Sequence, residues 1–241
     1  MQYEKRCLTF GASLFCSDKD RKTVADGSRG TNAFVVPNIY HNGAFGNYDF
    51  GDGFCNLNVL LFVGGLMYRP NIEGITWFVK SIFREFRTEH PEAKLLLVGH
   101  SPAREIHDLC AGNEGIELHA DMPDINSYYR QCGAVVVPLL TGGGTRIKIL
   151  EAALAGRPVL STPMGAEGLD LADGTDLLLF KDTGEFMDRY RELLDRHTYD
   201  RMVCSAKDSV SSEYSRDRFH GIMEEVIGDI DRRKRQTACV Q

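Results

Sequence analysis

Short apolar runs of strand length alternate along the chain with longer stretches in which apolar residues recur at helical spacing. Residues 12–16 predict a strand. Ser17 and Asp20 then stand in the S-x-x-D form of a capping box and open a short helix to about Asp26. A second strand over 34–36 stops at Pro37-Asn38. From 40 to 56, Gly43, Gly46, Gly51 and Gly53 punctuate a polar stretch without periodicity, which reads as a linker.

Beyond the linker the pattern is regular. The run 59–63 predicts a buried strand, and over 71–90 the residues Ile72, Ile75, Val79, Ile82, Phe83 and Phe86 predict a helix with one wet face. Further strands are expected at 94–98, 116–119, 134–137, 158–161 and 176–180. Helices are expected near 103–110, 125–131 and 145–155, the last closed by Gly156. Three more, at 183–195, 199–211 and 216–231, finish the pattern. The tail Arg232-Arg-Lys-Arg235 reads as a solvated charge run, with peripheral contact to an anionic membrane surface as the alternative.

Strands alternating with helices predict parallel β-α-β units with right-handed crossovers. The expected fold class is therefore α/β, a Rossmann-like parallel sheet with helices on both faces. Ligands of such sheets bind along the edge formed by the strands' carboxyl ends. Gly64-Gly65, Gly99-His100, residues 138–144 and residues 162–168 arrive on that edge. The expected organisation is an end piece of another domain over 1–38, a linker over 39–57, a nucleotide-sugar-binding Rossmann-like domain over 58–231 and a basic tail over 232–241.

Composition narrows the class. Of 241 residues, 43% are hydrophobic and 26% charged, values of a soluble globular chain. A net charge of −6 offers no global basic field, so no nucleic-acid partner is expected. No apolar run approaches the ~18 residues needed to cross a bilayer, and the first residues lead into no signal-peptide core. The seven cysteines form no C-x-x-C pair, which fits neither a disulfide framework nor a zinc knuckle and points to a reducing cytoplasm.

The densest chemistry lies in Thr141-Gly-Gly-Gly-Thr145, just before a predicted helix. Glycines let the backbone approach an anion closely, and the free N–H groups of a first helical turn point at it. Gly144, Lys148 and Glu151 recur at i, i+4 and i+7, sharing one face, while Ile147, Leu150 and Leu154 take the core face. The pattern suits an anion pocket with a carboxylate two turns in, able to accept two hydrogen bonds from a sugar diol. The plainer alternative is a glycine-rich turn beside a solvated Lys-Glu pair.

Other candidates fail on physical grounds. Gly99-His-Ser-Pro-Ala103 resembles a nucleophile elbow, but the residue after Ser101 is Pro102, which has no N–H for an oxyanion. Ser101 is expected instead to cap the next helix. Asp18 and Asp20 are explained by capping rather than by a metal. His100, His107 and His119 lack metal-ligand spacing, and no phosphate-loop G-x-x-x-x-G-K-[ST] is present.

The block from Pro138 through Gly142-Gly-Gly-Thr-Arg-Ile-Lys-Ile-Leu-Glu-Ala152, followed by Gly156-Arg-Pro-Val159 and Gly165-Ala-Glu-Gly168, resembles the donor-binding half of a group-one glycosyltransferase of the two-Rossmann GT-B fold. Phe62-Val-Gly-Gly-Leu-Met-Tyr with Pro70-Asn71 is similar to that family's first strand and loop of the donor domain. Val35-Val-Pro-Asn38 resembles its domain crossing. The likeness runs over roughly residues 3–220.

The resemblance implies transfer of a sugar from a nucleotide diphosphate donor to a glycan or lipid-linked acceptor, with retention and without a bound metal or other cofactor. It assigns Gly142, Gly143, Gly144 and Thr145 to the diphosphate, Glu151 to the ribose, and Met122 and Pro123 to the base. Gly64, Gly65 and His100 complete the ligand edge. Three departures stand out. Gly143 occupies the place of the family's first motif glutamate. Gly65 and Asn71 stand in the region of its usual basic residues, so Arg146 and Lys148 are expected to supply the charge for the diphosphate. Most of the acceptor domain is expected to lie outside this chain, which would bind donor without transferring sugar alone. The alternatives are a non-catalytic subunit paired with a separate acceptor-domain chain, or another GT-B enzyme such as a nucleotide-sugar epimerase.

Overall fold

The computed structural model describes residues 12–25, 33–39, 56–144 and 146–238. The chain divides into two compact units, one holding the described residues of Met1–His41, Gly168–Asp170 and Ser211–Gln241, the other those of Asn42–Glu167 and Leu171–Val210.

In the first unit, β1 (Ser13–Phe15) pairs in parallel with β2 (Ala33–Val35), with Leu14 opposite Phe34. Between them α1 (Asp18–Ala25) starts from a closed capping box. The Asp20 N–H donates to Ser17 Oγ at 3.1 Å, and the Ser17 hydroxyl donates to Asp20 Oδ2 at 2.8 Å. Asp18 pairs with Arg21 and Lys22, so both carboxylates are taken up locally.

The second unit carries a six-stranded parallel sheet of β3 (Val59–Val63), β4 (Lys94–Gly99), β5 (Ile116–Ala120), β6 (Ala134–Val137), β7 (Val159–Ser161) and β8 (Leu178–Leu179). Its order is β5-β4-β3-β6-β7-β8. Renumbered within the unit this is 3-2-1-4-5-6, the Rossmann order, and the direction of winding reverses between β3 and β6. Leu60, Leu61 and Phe62 of β3 and all of β6 are buried, as a strand covered on both faces requires.

Helices cover the sheet. α2 (Arg69–Phe78) runs through a π segment, Val79–Phe83, into α3 (Arg84–Glu89). The apolar spacing over 71–90 predicts one uninterrupted helix, which the π segment interrupts. The wider turn keeps Val79, Ile82 and Phe83 buried, and the Thr183 hydroxyl donates to the Ser81 carbonyl at 2.7 Å. Gly74 is the close-approach point of α2: a Cβ there would stand 2.3 Å from the Pro138 carbonyl oxygen just past β6. The remaining helices of this unit are α4 (Arg104–Ala111), α5 (Asn126–Gln131), α6 (Ile147–Leu154), α7 (Thr183–Leu194) and α8 (Arg196–Glu213), whose last residues group with the first unit; α9 (Arg216–Ala238) belongs to the first unit. The core is rich in aromatics. Phe186 sits edge-on to Phe78 at 5.2 Å and to Phe86 at 5.6 Å, and Tyr190 edge-on to Phe86 at 4.6 Å.

Several expectations need correction. Ser101 does not cap α4: the helix begins at Arg104 with Ala103 at its cap, and Ser101 lies at φ 51. The strand expected over 176–180 shrinks to Leu178–Leu179, because Asp176 accepts from the Ala172 N–H and from the hydroxyls of Ser205 and Ser209. Of the domain expected over 58–231, the residues from Ser211 onward group with the first unit. The basic stretch expected as a separate tail over 232–241 instead continues α9 to Ala238.

Candidate functional site

The carboxyl ends of β3, β4 and β5 and the start of α6 enclose a cleft of about 490 Å³ at the point where the winding reverses. This is where an open α/β sheet binds ligands. Of the residues singled out from the sequence, Gly64, Gly65, His100, Met122, Gly143, Arg146, Lys148 and Glu151 line it together. Pro123 is exposed and does not line it, nor do Gly142 and Gly144. Thr145 lies outside the described residues.

The glycine loop adopts backbone that demands its residue type. Gly142 lies at φ 110 and Gly144 at φ 85, in the left-handed region. Gly143 has open space where a Cβ would stand. The loop is fastened from below by Arg146, which is 5% exposed. Its Nη1 donates to the Gly143 carbonyl at 2.8 Å and its Nη2 to the Gly142 carbonyl at 2.8 Å, with a longer bond to the Met164 carbonyl at 3.4 Å. In a trans peptide the N–H points opposite to the C=O. The N–H groups of Gly143 and Gly144 therefore point away from Arg146.

Helix α6 starts at Ile147, later than the residue pattern suggested. Ile147, the first residue of the helix, is 46% exposed rather than in the core; Leu150 and Leu154 are buried as expected, together with Ile149 and Ala153. Lys148 and Glu151, one turn apart, both face the cleft. Lys148 Nζ donates to Asn71 Oδ1 at 3.1 Å and stands 4.1 Å from the centroid of the Phe62 ring. Burial pushes its amine down to about 7; the Arg146 charge adds to this and Glu151 opposes it. Bare Gly64 makes the room, because a Cβ there would lie 2.9 Å from Lys148 Nζ. Glu151 Oε2 accepts from the buried Tyr129 hydroxyl at 3.1 Å.

On the far wall, His100 stands over Gly65, where a Cβ would meet its ring at 3.2 Å. Asp121, at φ 53 on the end of β5, accepts from the Ser101 N–H at 3.0 Å. Two adjacent strand ends thus carry left-handed non-glycine residues tied to each other. Asn71, Tyr129 and Asp121 were not singled out as site residues. Asn71 had a sequence signal, the Pro70-Asn71 pair opening an amphipathic helix on the ligand edge; the buried tyrosine had none. Among the described residues, no group of three or more His, Cys, Asp or Glu side chains is arranged to hold a metal ion.

The cleft thus combines a fixed loop with outward-turned amides, one ammonium on a soft hydrogen bond and a carboxylate held by a phenol. Such a set can grip an anion at one end and hydroxyls at the other.

The family model described as glycosyl transferases, group 1, matches residues 58–196. An uncharacterized 44.6 kDa protein in the cps region of Klebsiella pneumoniae is 28% identical over 134 residues, 53% of this chain and 34% of that protein. The fold is similar to that of S. aureus TarM, with a TM-score of 0.75 at 12% identity over 95% of this chain and 45% of TarM. It is similar also to Anabaena HepE in complex with UDP-glucose, with a TM-score of 0.69 at 14% identity over 95% of this chain and 67% of HepE. At such identities the likeness establishes the fold. The chain spans about a third of the curated relative and under half of TarM.

Proposed function

The chain belongs to the group 1 glycosyltransferases, and on that footing we propose that its cleft binds a nucleotide diphosphate sugar as the donor of a sugar. The observation that carries this reading is the convergence of Lys148, the Arg146-fastened glycine loop and Glu151 on one cleft at the reversal point of the sheet. In this reading the amide of Gly143 and the Lys148 ammonium take the diphosphate, and Glu151 accepts from the ribose diol. Met122, exposed at the cleft mouth, packs against the base. HepE, described with UDP and with UDP-glucose, and TarM, described with UDP, supply the analogy for the nucleotide.

The reaction proposed is transfer with retention to a glycan or lipid-linked acceptor, in polysaccharide biosynthesis, as the cps-region relative suggests. The bond from the anomeric carbon to the diphosphate oxygen breaks, and a bond to an acceptor hydroxyl oxygen forms. Lys148 and the loop amides offset the charge left on the diphosphate, a role the reading gives to the protein without a metal. Catalysis also needs the acceptor held within reach of the anomeric carbon. The cleft residues form a donor site, so the 241 residues alone are expected to bind nucleotide and not to transfer sugar. No helix among the described residues is long and apolar enough to cross a membrane.

A calorimetric screen of the purified chain against nucleosides, nucleoside monophosphates and nucleoside diphosphates tests the proposal. Binding that strengthens from nucleoside to diphosphate for one preferred base supports it. A folded chain that binds none of them overturns it.

A further inference from the structure

Asn71, the third residue of α2, is a polar side chain only 5% exposed that lines the cleft. A buried amide must be matched at both ends. Its Nδ2 donates to the Gly65 carbonyl at 2.8 Å. A carbonyl can only accept, so this bond fixes which end of the amide is nitrogen and turns Oδ1 the other way. That oxygen accepts from Lys148 Nζ at 3.1 Å. Three segments separated in sequence meet there: the loop after β3, the first turn of α2 and the second residue of α6.

We infer that Asn71 is a positioning residue for the donor diphosphate, holding the Lys148 ammonium at the cleft wall while its own orientation is set by the Gly65 carbonyl. The inference rests on the donor-site reading of the cleft.

The choice of an amide over a carboxylate follows from charge. An amide oxygen supports the ammonium without neutralising it, so the positive charge stays available to an incoming anion. A carboxylate at 71 would pair with Lys148, repel the diphosphate and lose the bond to Gly65. Phe62, the second support of the ammonium, is likewise uncharged. The charged and titratable groups facing this point are Arg146 at the start of α6, Glu151 one turn on, His100 after β4, Asp121 after β5 and Tyr68 before α2. With the free amine held near 7 by burial, a bound diphosphate favours its protonated form. Binding therefore takes up a proton at slightly alkaline pH, and affinity falls as pH rises above about 7.

The test titrates the wild type, Asn71→Ala, Asn71→Asp and His100→Gln with inorganic pyrophosphate, uridine, UDP, ADP and GDP. Calorimetry is run between about pH 7 and 9 in pairs of buffers of different ionisation heat, on variants whose thermal melts show a folded chain. The wild type is expected to take up a proton on binding diphosphate. Asn71→Ala is expected to bind diphosphate about tenfold more weakly, with its decline beginning at lower pH because the ammonium has lost an acceptor. Asn71→Asp is expected to bind at least as weakly and to show little change over the window, since its ion pair keeps Lys148 protonated throughout. Nucleoside binding should be unaffected, and His100→Gln should keep the wild-type pH profile. Wild-type affinity and profile in both Asn71 variants overturns the inference while leaving the donor site standing. So does an equal loss for nucleoside and diphosphate, which would make Asn71 a mere wall residue. A wild type that binds no diphosphate overturns the donor-site reading itself, and this inference with it.

Discussion

The Tyr129 hydroxyl donates to Glu151 Oε2 at 3.1 Å, while the backbone carbonyl of the same tyrosine accepts from Nε of the buried Arg157 at 2.6 Å. The carboxylate on α6 is thus oriented from α5, and the end of α5 is clamped by an arginine from the turn after α6. Tyr129→Phe keeps the ring and removes one bond to a charged acceptor. A loss of about 1.5–3 kcal/mol of stability is the upper expectation, since the carboxylate can turn to water in the cleft. Nucleoside diphosphate affinity should fall several-fold, because Glu151 is no longer held for the ribose. Thermal melting and calorimetric titration of the variant check both; unchanged affinity would separate Tyr129 from the site.

Lys148 trades stability for charge. Its amine is lowered in the folded chain to about 7 from 10.5. Between those values the unfolded chain holds more protons, so stability contributed through this group rises with pH across that window and is lowest below about 7. Lys148→Met removes the charge from an apolar site beside Phe62 and is expected to raise the melting temperature at neutral pH. The shift should be about 2–4 °C for each kcal/mol released, and the gain should shrink as pH approaches 10.5. The same variant should bind diphosphate about tenfold or more weakly. A lower melting temperature at pH 7 would show that the ammonium stabilises the fold.

The alternation of apolar runs and helical spacing was enough to read the sheet's strands, because parallel strands covered on both faces must be continuous apolar runs, as in 59–63 and 134–137. The cleft was legible where backbone demands a residue type, at Gly64 and the Gly142–Gly144 loop. What escaped depends on contacts between distant segments. Nothing local distinguishes Tyr129 from its buried neighbour Tyr128, nor shows that Arg146 turns inward onto the loop carbonyls. Ile147 is exposed because it opens α6, which starts two residues later than the pattern predicts, while Leu150 and Leu154 on the same face are buried as expected. Ser101 was misread for a related reason: a serine followed by proline fits a helix cap, but here the backbone turns left-handed to meet Asp121.

Arg146 is predicted to act through the loop. Its terminal nitrogens hold the Gly142 and Gly143 carbonyls, so a direct fork onto a phosphate is not its geometry in this structure. Arg146→Ala should loosen the loop and weaken diphosphate binding about tenfold. Arg146→Lys should rescue little, because a single ammonium cannot span both carbonyls as the planar fork does. Full rescue by lysine would mean that only the charge matters.

Among the described residues, β1 and β2 form a two-stranded parallel ribbon, a pairing that is marginal by itself. Leu14 is 51% exposed, whereas Val36 is buried. Amide exchange over 13–15 and 33–35 is predicted to be fast compared with β3 and β6, and concentrating the chain should promote association through this ribbon. Strong protection there at monomeric concentration would contradict this.

The central claim is that the cleft between the end of β3 and α6 holds a nucleoside diphosphate, with Glu151 on its ribose. The most direct test is calorimetric titration of the preferred nucleoside diphosphate into the wild type and into folded Glu151→Ala. Loss of hydrogen bonds to a charged acceptor predicts a fall of about 1.5–3 kcal/mol, roughly 10- to 150-fold in affinity. An unchanged dissociation constant for Glu151→Ala would place the nucleotide elsewhere.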